Sequence, residues 1–121
     1  YERIAATPLY KQGLERVIGG VDSYLVALMC AESDPLTCHR TILVCRSLRS
    51  PKLSIAHILP DGRLERNEEA EKRLMQITKL TQESFFESGN PIERAYDVQA
   101  EKIAYTRPAP EGAPHPGEAL R

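Results

Sequence analysis

The sequence predicts an α/β domain with a Rossmann-like, three-layer architecture around a parallel sheet. Tyr24–Met29 is apolar at every position instead of alternating, which is typical of a strand buried on both faces of a parallel sheet. A second, mostly apolar stretch, Leu53–Leu59, follows a helical segment that opens at Asp34-Pro35. Strand, helix and strand within about 36 residues have the size of a βαβ unit, which crosses over right-handed.

The remaining elements follow from capping and turn signals. Thr7-Pro8 predicts a helix start, with a hydroxyl N-cap followed by proline, and Gly19-Gly20 predicts its end. Residues 60–62, Pro-Asp-Gly, predict a turn. A third helix is expected from an Asn67 cap to about Phe86, and a fourth from Pro91.

The domain organisation follows from the number of strands. Residues 1–106 are assigned to one α/β domain and interpreted as the C-terminal portion of a longer one, because a sheet of two parallel strands is not stable alone. Either a preceding segment supplies strands, or a second copy of the chain covers the open sheet edge in a homo-oligomer. Residues 107–121 are rich in proline and glycine and are predicted to be a disordered tail.

Composition excludes several classes of function. The net charge is −1, from 16 basic and 17 acidic residues, which gives no electrostatic case for nucleic acid or for a membrane surface. The longest apolar run, Tyr24–Ala31, is far shorter than the roughly 18 residues of a membrane span, and no secretory signal opens the chain. Three cysteines are few and odd in number, unlike a disulfide framework, so a cytoplasmic location is expected.

Chemistry-bearing side chains concentrate where the first predicted strand passes into its helix. In open α/β sheets, ligands bind at the carboxyl ends of strands, so this junction predicts a pocket for a small-molecule or anionic ligand. One hypothesis is a thiol-dependent enzyme, in which a cysteine is the nucleophile, a histidine or glutamate carries the proton and an arginine holds an anion. The residues concerned are Cys30 and Cys38, His39 or Glu32, and Arg40.

Other interpretations stay open beside this one. A cysteine that ends a buried strand is commonly a small hydrophobe, and Cys45 is expected to be one. Cys30 and Cys38 could form a redox pair, or could join His39 and His57 as metal ligands, although their spacing does not match the paired cysteines of zinc sites. No particular metal or cofactor is predicted.

A non-catalytic interpretation belongs to a different class of function. The same cluster could be a structural knot in a binding or scaffold domain, with Arg40 paired to Glu32 or Asp34. His57, on a predicted strand face, is then a core or edge histidine. Whether the protein is an enzyme is left open by the sequence.

The pattern also carries a family resemblance. Cys-Ala-Glu at 30–32, Asp-Pro at 34–35, Cys-His-Arg at 38–40 and His-Ile-Leu-Pro-Asp-Gly at 57–62 resemble the bacterial family called domain of unknown function 488. The resemblance spans roughly Thr7 to Tyr105 and implies a compact α/β domain, with no established biochemical role. Members usually carry an N-terminal strand and an acidic-plus-arginine motif, which have no match here.

Overall fold

The fold is mostly helical, with one small sheet. The structure is a computed structural model that describes residues 1–80 and 89–104. Two helices, a 3₁₀ turn, a π-helix and a short helix precede the two strands, and two longer helices follow them. In chain order these elements are α1 Glu2–Ala5, α2 Pro8–Val21, the 3₁₀ turn Pro35–Thr37, the π-helix Arg40–Cys45, α3 Arg46–Leu48, β1 Ala56–Ile58, β2 Leu64–Arg66, α4 Asn67–Ile77 and α5 Pro91–Ile103.

The sheet corrects the predicted fold class. β1 and β2 form an antiparallel hairpin, with His57 opposite Glu65, so the three-layer Rossmann-like prediction with a parallel sheet is wrong. The predicted second strand is present but shortened to Ala56–Ile58. The predicted turn at 60–62 closes the hairpin, with Gly62 at a φ of 85° that favours glycine. The sequence did not predict β2, because its three residues are too few to show the alternation of apolar and polar residues that indicates a strand.

The predicted central strand is the second correction. Tyr24–Met29 forms no strand, and its largest side chains lie in solvent, with Leu25 103% and Met29 97% exposed. The βαβ unit and its crossover are therefore also wrong. An apolar run becomes a buried strand only when neighbouring strands pair with it, and β1 and β2 of the described residues pair only with each other.

Two predicted helix starts, at Thr7-Pro8 and at Pro91, are confirmed. Thr7 Oγ1 accepts a hydrogen bond from the Tyr10 N–H at 3.3 Å, and α2 continues one residue past the two glycines to Val21. Asn90 Oδ1 accepts from the Ile92 N–H at 3.1 Å at the start of α5. Both helices carry proline in the first turn, where its missing N–H costs no hydrogen bond.

The third predicted helix is shorter within the described residues than expected. Asn67 is the first residue of α4 and not its cap, and the Glu69 carboxylate accepts a hydrogen bond from the Arg66 N–H at 3.3 Å. α4 ends at Ile77, and Lys79 then adopts a φ of 58°. The expected continuation to Phe86 and the predicted tail at 107–121 lie outside the described residues.

The core joins α4 and α5 to the segment that contains the cysteines. A buried apolar cluster draws on the 3₁₀ turn, the π-helix, α4 and α5, and Gln99 of α5 donates a buried hydrogen bond of 2.7 Å to the Leu36 carbonyl. This packing fixes the backbone just before Cys38. The cluster comprises Leu36, Ile42, Ala70, Leu74, Ala95 and Tyr96.

Across residues 1–80 and 89–104, no helix has both the length and the apolar character needed to cross a bilayer.

Candidate functional site

Cys30, Cys38 and His39 converge at one point of the structure. One ligand atom from each lies within 4.8 Å of the other two. The Cys30 sulfur lies 3.9 Å from Nε2 of His39. The convergence does not come from a strand end, as the sequence predicted, because the chain before Cys30 is irregular. It comes from the break between the 3₁₀ turn and the π-helix.

Cys38 lies at this break. Its backbone is extended (φ −119°, ψ 135°), which splits the single helix predicted from Asp34 into a 3₁₀ turn and a π-helix. The Cys38 sulfur accepts a hydrogen bond from the Arg40 N–H at 3.2 Å. Its carbonyl accepts from the N–H groups of Thr41 and Ile42, each at 3.1 Å. π-helical turns are rare in proteins, and those that occur often lie at functional sites.

The loop before Cys38 is held by a polar bridge. Asp34 caps the 3₁₀ turn, with Oδ1 accepting from the Leu36 N–H at 3.0 Å. The same carboxylate pairs with Arg73 of α4 at 3.3 Å, and Arg73 also contacts both oxygens of Glu65 at 2.9 Å. The bridge joins the loop to α4 and β2, so Cys38 is anchored on a fixed backbone.

Cys30 is the accessible thiol of the cluster. Its pKa is lowered, chiefly because the Cys38 thiol donates a hydrogen bond to it, and further because the backbone N–H of Glu32 donates to it. The positive charge of Arg40 also favours the thiolate. Hydrogen bonds to the charged form and a nearby cation are the conditions that make a thiol reactive.

The other two cysteines are buried. Burial is the largest cause of a raised pKa at Cys38, followed by the hydrogen bond that its thiol gives to Cys30. Burial also raises the pKa of Cys45 to about 11. The prediction that Cys45 is a buried core residue is confirmed, at 6% exposure.

The two predicted proton carriers are in different positions. The His39 ring is exposed and close to the Cys30 sulfur. Glu32 is exposed, and it helps to lower the pKa of Cys30 through its backbone N–H. The geometry therefore favours His39 over Glu32 for a proton-carrying role.

Arg40 has no salt bridge to any carboxylate of residues 1–80 and 89–104. The expected pairing with Glu32 or Asp34 is therefore absent from this part of the chain. The Asp34 carboxylate is held by Arg73 instead. An arginine left without a carboxylate partner beside a thiol can hold an anionic ligand.

Tyr1 is a neighbour of the site that the sequence did not indicate. Its side chain packs against the core cluster. Burial raises the pKa of its hydroxyl, and the negative charge of the Cys38 and Cys30 thiolates raises it further. No motif marks Tyr1, because residues 1–6 are too few to predict a helix or a strand.

The cluster has the atoms for metal binding but lacks a full ligand set. Cys30, Cys38 and His39 supply two sulfurs and one nitrogen, one fewer than the four ligands of a structural zinc site. His57, the fourth expected ligand, is buried elsewhere and lies 2.9 Å from Asn67 Oδ1 through its Nε2. His57 is therefore a satisfied histidine of the hairpin.

A second polar cluster surrounds Tyr96 and is structural in character. The guanidinium carbons of Arg46 and Arg49 lie 5.2 and 5.7 Å from the Tyr96 ring centroid. Both arginines pair with carboxylates, and the Tyr96 hydroxyl donates to Glu71 at 2.8 Å. Within the part of the chain that the structure describes, these charges pair with one another, which gives the cluster a structural role.

The comparison with known families bears on the same segment. Residues 1–46 match the family model described as "Domain of unknown function DUF488". This match contains Cys30, Glu32 and Cys38-His39-Arg40, and it confirms the family resemblance for that segment; the part of the resemblance at 57–62 lies outside the match. Over residues 1–46 the chain is therefore similar to this family, whose description assigns no activity. No curated protein and no solved structure is significantly similar to the chain.

Proposed function

We propose that the cluster of Cys30, Cys38 and His39 is a thiol-dependent site for a small ligand that carries negative charge, with Cys30 as the nucleophile. The observation that carries the proposal is the position of an accessible thiol beside an exposed imidazole, at 3.9 Å between Sγ and Nε2. A nucleophile within reach of a proton carrier is the arrangement that covalent catalysis requires.

Each residue then has a distinct role. The Cys38 thiol and the Glu32 backbone N–H donate hydrogen bonds to the Cys30 thiolate. Cys30 attacks an electrophilic atom of the ligand, and a protonated Nε2 of His39 gives its proton to the departing group. Imidazole suits this step because its ring nitrogens can both carry and release a proton. Glu32 is assigned a backbone role instead of a proton-carrying one.

Arg40 accounts for the preference for an anion. Its positive charge favours the thiolate form of Cys30. Within the described chain it has no carboxylate partner that would compete with a ligand. A guanidinium offers paired donors that match a carboxylate or phosphate group. The ligand class is therefore a small electrophile that carries such a group.

The test compares two alkylating reagents that differ in charge. Chelator-treated protein is labelled with iodoacetate or with iodoacetamide, and the rate at Cys30 is read by mass spectrometry. We expect Arg40→Gln to lower the ratio of the two rates by about threefold, because only iodoacetate is attracted by the guanidinium. Arg63→Gln is the control, since Arg63 pairs with Asp61 in the hairpin. An unchanged ratio in Arg40→Gln contradicts the role of Arg40.

The same variant separates this proposal from a non-catalytic scaffold. If the cluster is a structural knot, Arg40→Gln lowers the free energy of unfolding by more than about 1 kcal/mol. If Arg40 instead serves a ligand, the substitution leaves the unfolding free energy within about 0.5 kcal/mol of the wild type. Urea denaturation measures the difference.

A further inference from the structure

Cys30 and Cys38 differ in exposure although their sulfurs are neighbours. The two sulfurs lie within 4.8 Å of each other. Cys30 is partly exposed in an irregular segment, whereas Cys38 is fully buried on an anchored backbone. One thiol can meet a reagent from solvent, and the other can meet only Cys30.

From this arrangement we propose that Cys30 and Cys38 form a reversible disulfide, and that the site exchanges it with a small disulfide that carries carboxylate groups. Cys30 is the attacking thiol and Cys38 the resolving thiol. The inference deepens the proposed function and rests on it, because it uses Cys30 as the nucleophile and Arg40 as the anion contact. It adds the substrate class and the role of Cys38.

The exchange balances in two steps. The Cys30 thiolate attacks one sulfur of the substrate disulfide, which forms a mixed disulfide and releases a thiolate that takes a proton from His39. Cys38 then gives its proton to the imidazole and attacks the Cys30 sulfur, and the second half of the substrate leaves as a thiolate that takes this proton from the imidazole. Two protein thiols are oxidised to a disulfide, and one substrate disulfide is reduced to two thiols.

The geometry permits bond formation with a small movement. A disulfide needs its sulfurs about 2.05 Å apart, so the pair must close by less than about 3 Å. Rotation about the Cα–Cβ bond of Cys30 displaces its sulfur over a distance of this order. Cys30 lies in a segment without regular secondary structure, whereas the Cys38 sulfur is held by its contact with the Arg40 N–H.

Glutathione disulfide, a small disulfide with carboxylates, is the probe. Chelator-treated protein is equilibrated with it, quenched with acid and analysed by peptide mass spectrometry. We expect the wild type to lose two thiols to a Cys30–Cys38 disulfide, keeping Cys45 reduced and retaining little glutathione. Cys45→Ala, which removes the remaining thiol, should form the same disulfide.

The resolving role is tested by removing Cys38. Cys38→Ala should leave a lasting glutathione adduct on Cys30. Circular dichroism serves as the control that the variant with this buried substitution is folded. A thermal melt of the wild type, with and without reductant, provides a second readout that needs no variant. We expect the oxidised form to melt at a different temperature from the reduced form.

The outcomes separate the two proposals. A wild type that keeps glutathione on Cys30 while Cys38 stays reduced overturns the disulfide inference and leaves the nucleophilic role of Cys30 intact. A folded protein in which neither thiol reacts overturns both. A disulfide that joins Cys30 to Cys45 also contradicts the inference, because Cys45 lies outside the group.

Discussion

The sulfur of Cys30 lies 3.9 Å from Nε2 of His39, although eight residues separate the two along the chain. The contact exists because Cys38 interrupts the helix, so that His39 lies at the start of the π-helix with its ring in solvent. An imidazole placed in this way can protonate the group that is displaced when the Cys30 sulfur attacks a ligand. The role depends on how basic the departing group is, and this dependence makes it testable.

Substituting His39 should affect only reactions that release a basic thiolate. His39→Gln is expected to slow the reaction of Cys30 with glutathione disulfide by about tenfold, because its leaving thiolate needs a proton. The reaction with an aromatic disulfide that releases an acidic thiol should stay within about twofold, since such a leaving group needs no proton. Stopped-flow rates at neutral pH measure both. Equal slowing with the two reagents would contradict proton transfer by His39.

The bridge from Arg73 predicts a pH-dependent loss of stability. Arg73 contacts both oxygens of Glu65, whose side chain is 11% exposed, and these hydrogen bonds are the main cause of the lowered pKa of Glu65. Arg73→Gln should lower the unfolding free energy at pH 7 by about 1.5 kcal/mol, a value reduced for the partial exposure of Arg73.

The stabilisation by Glu65 and Arg73 is expected to decrease at acidic pH. A carboxyl with a lowered pKa stabilises the fold above its unfolded pKa, and this contribution disappears as the pH falls through the folded value. The difference between wild type and Arg73→Gln should therefore shrink below about pH 4. Arg66→Gln is the control, because Arg66 is 77% exposed and lies 3.6 Å from Glu68. A pH-independent difference would rule out this account of Glu65.

Cys45 predicts a loss of stability in alkaline solution. Burial raises the pKa of its thiol to about 11, above the ordinary value for cysteine. Between those two values the unfolded chain releases a proton that the folded chain keeps, so stability falls as the pH rises, by about 3 kcal/mol in total. Cys45→Ala should show a shallower decline above about pH 9 in urea unfolding. Parallel profiles for the two proteins would contradict this prediction.

The corrected fold makes a prediction about Leu25 and Met29. Because both side chains are almost fully exposed, the double substitution to serine should change the unfolding free energy by less than about 0.5 kcal/mol. Leu74→Ala, at a site with 0% exposure, should cost about 2–5 kcal/mol in the same measurement. If the double variant loses more than about 2 kcal/mol of unfolding free energy, the side chains of Tyr24–Met29 are buried, as the sequence predicted.

Local signals in the sequence were sufficient for some elements. The cap at Thr7 with Pro8, and Pro91 alone, predicted the starts of α2 and α5, because these signals depend on residues that are adjacent in the chain. The turn at 60–62 was found for the same reason. The meeting of Cys30 with Cys38 and His39 was also predicted from a single short stretch, although by the wrong geometry.

Features that depend on distant contacts could not be predicted. Tyr24–Met29 has the composition of a buried strand, but composition does not supply the neighbouring strands that would bury it. The segment just before the break at Cys38 is held by the buried hydrogen bond from Gln99 of α5 to the Leu36 carbonyl, which a helix pattern does not contain. Tyr1 reaches the site through tertiary packing alone.

The most direct test of the central claim is alkylation of the folded, chelator-treated protein as a function of pH, followed for each cysteine by mass spectrometry. The account predicts that Cys30 reacts with an apparent pKa below the free value of about 8.5. Cys38 and Cys45 should stay unlabelled until denaturant is added. If Cys30 instead reacts no faster than Cys45, or only on unfolding, Cys30 is not the nucleophile of this site.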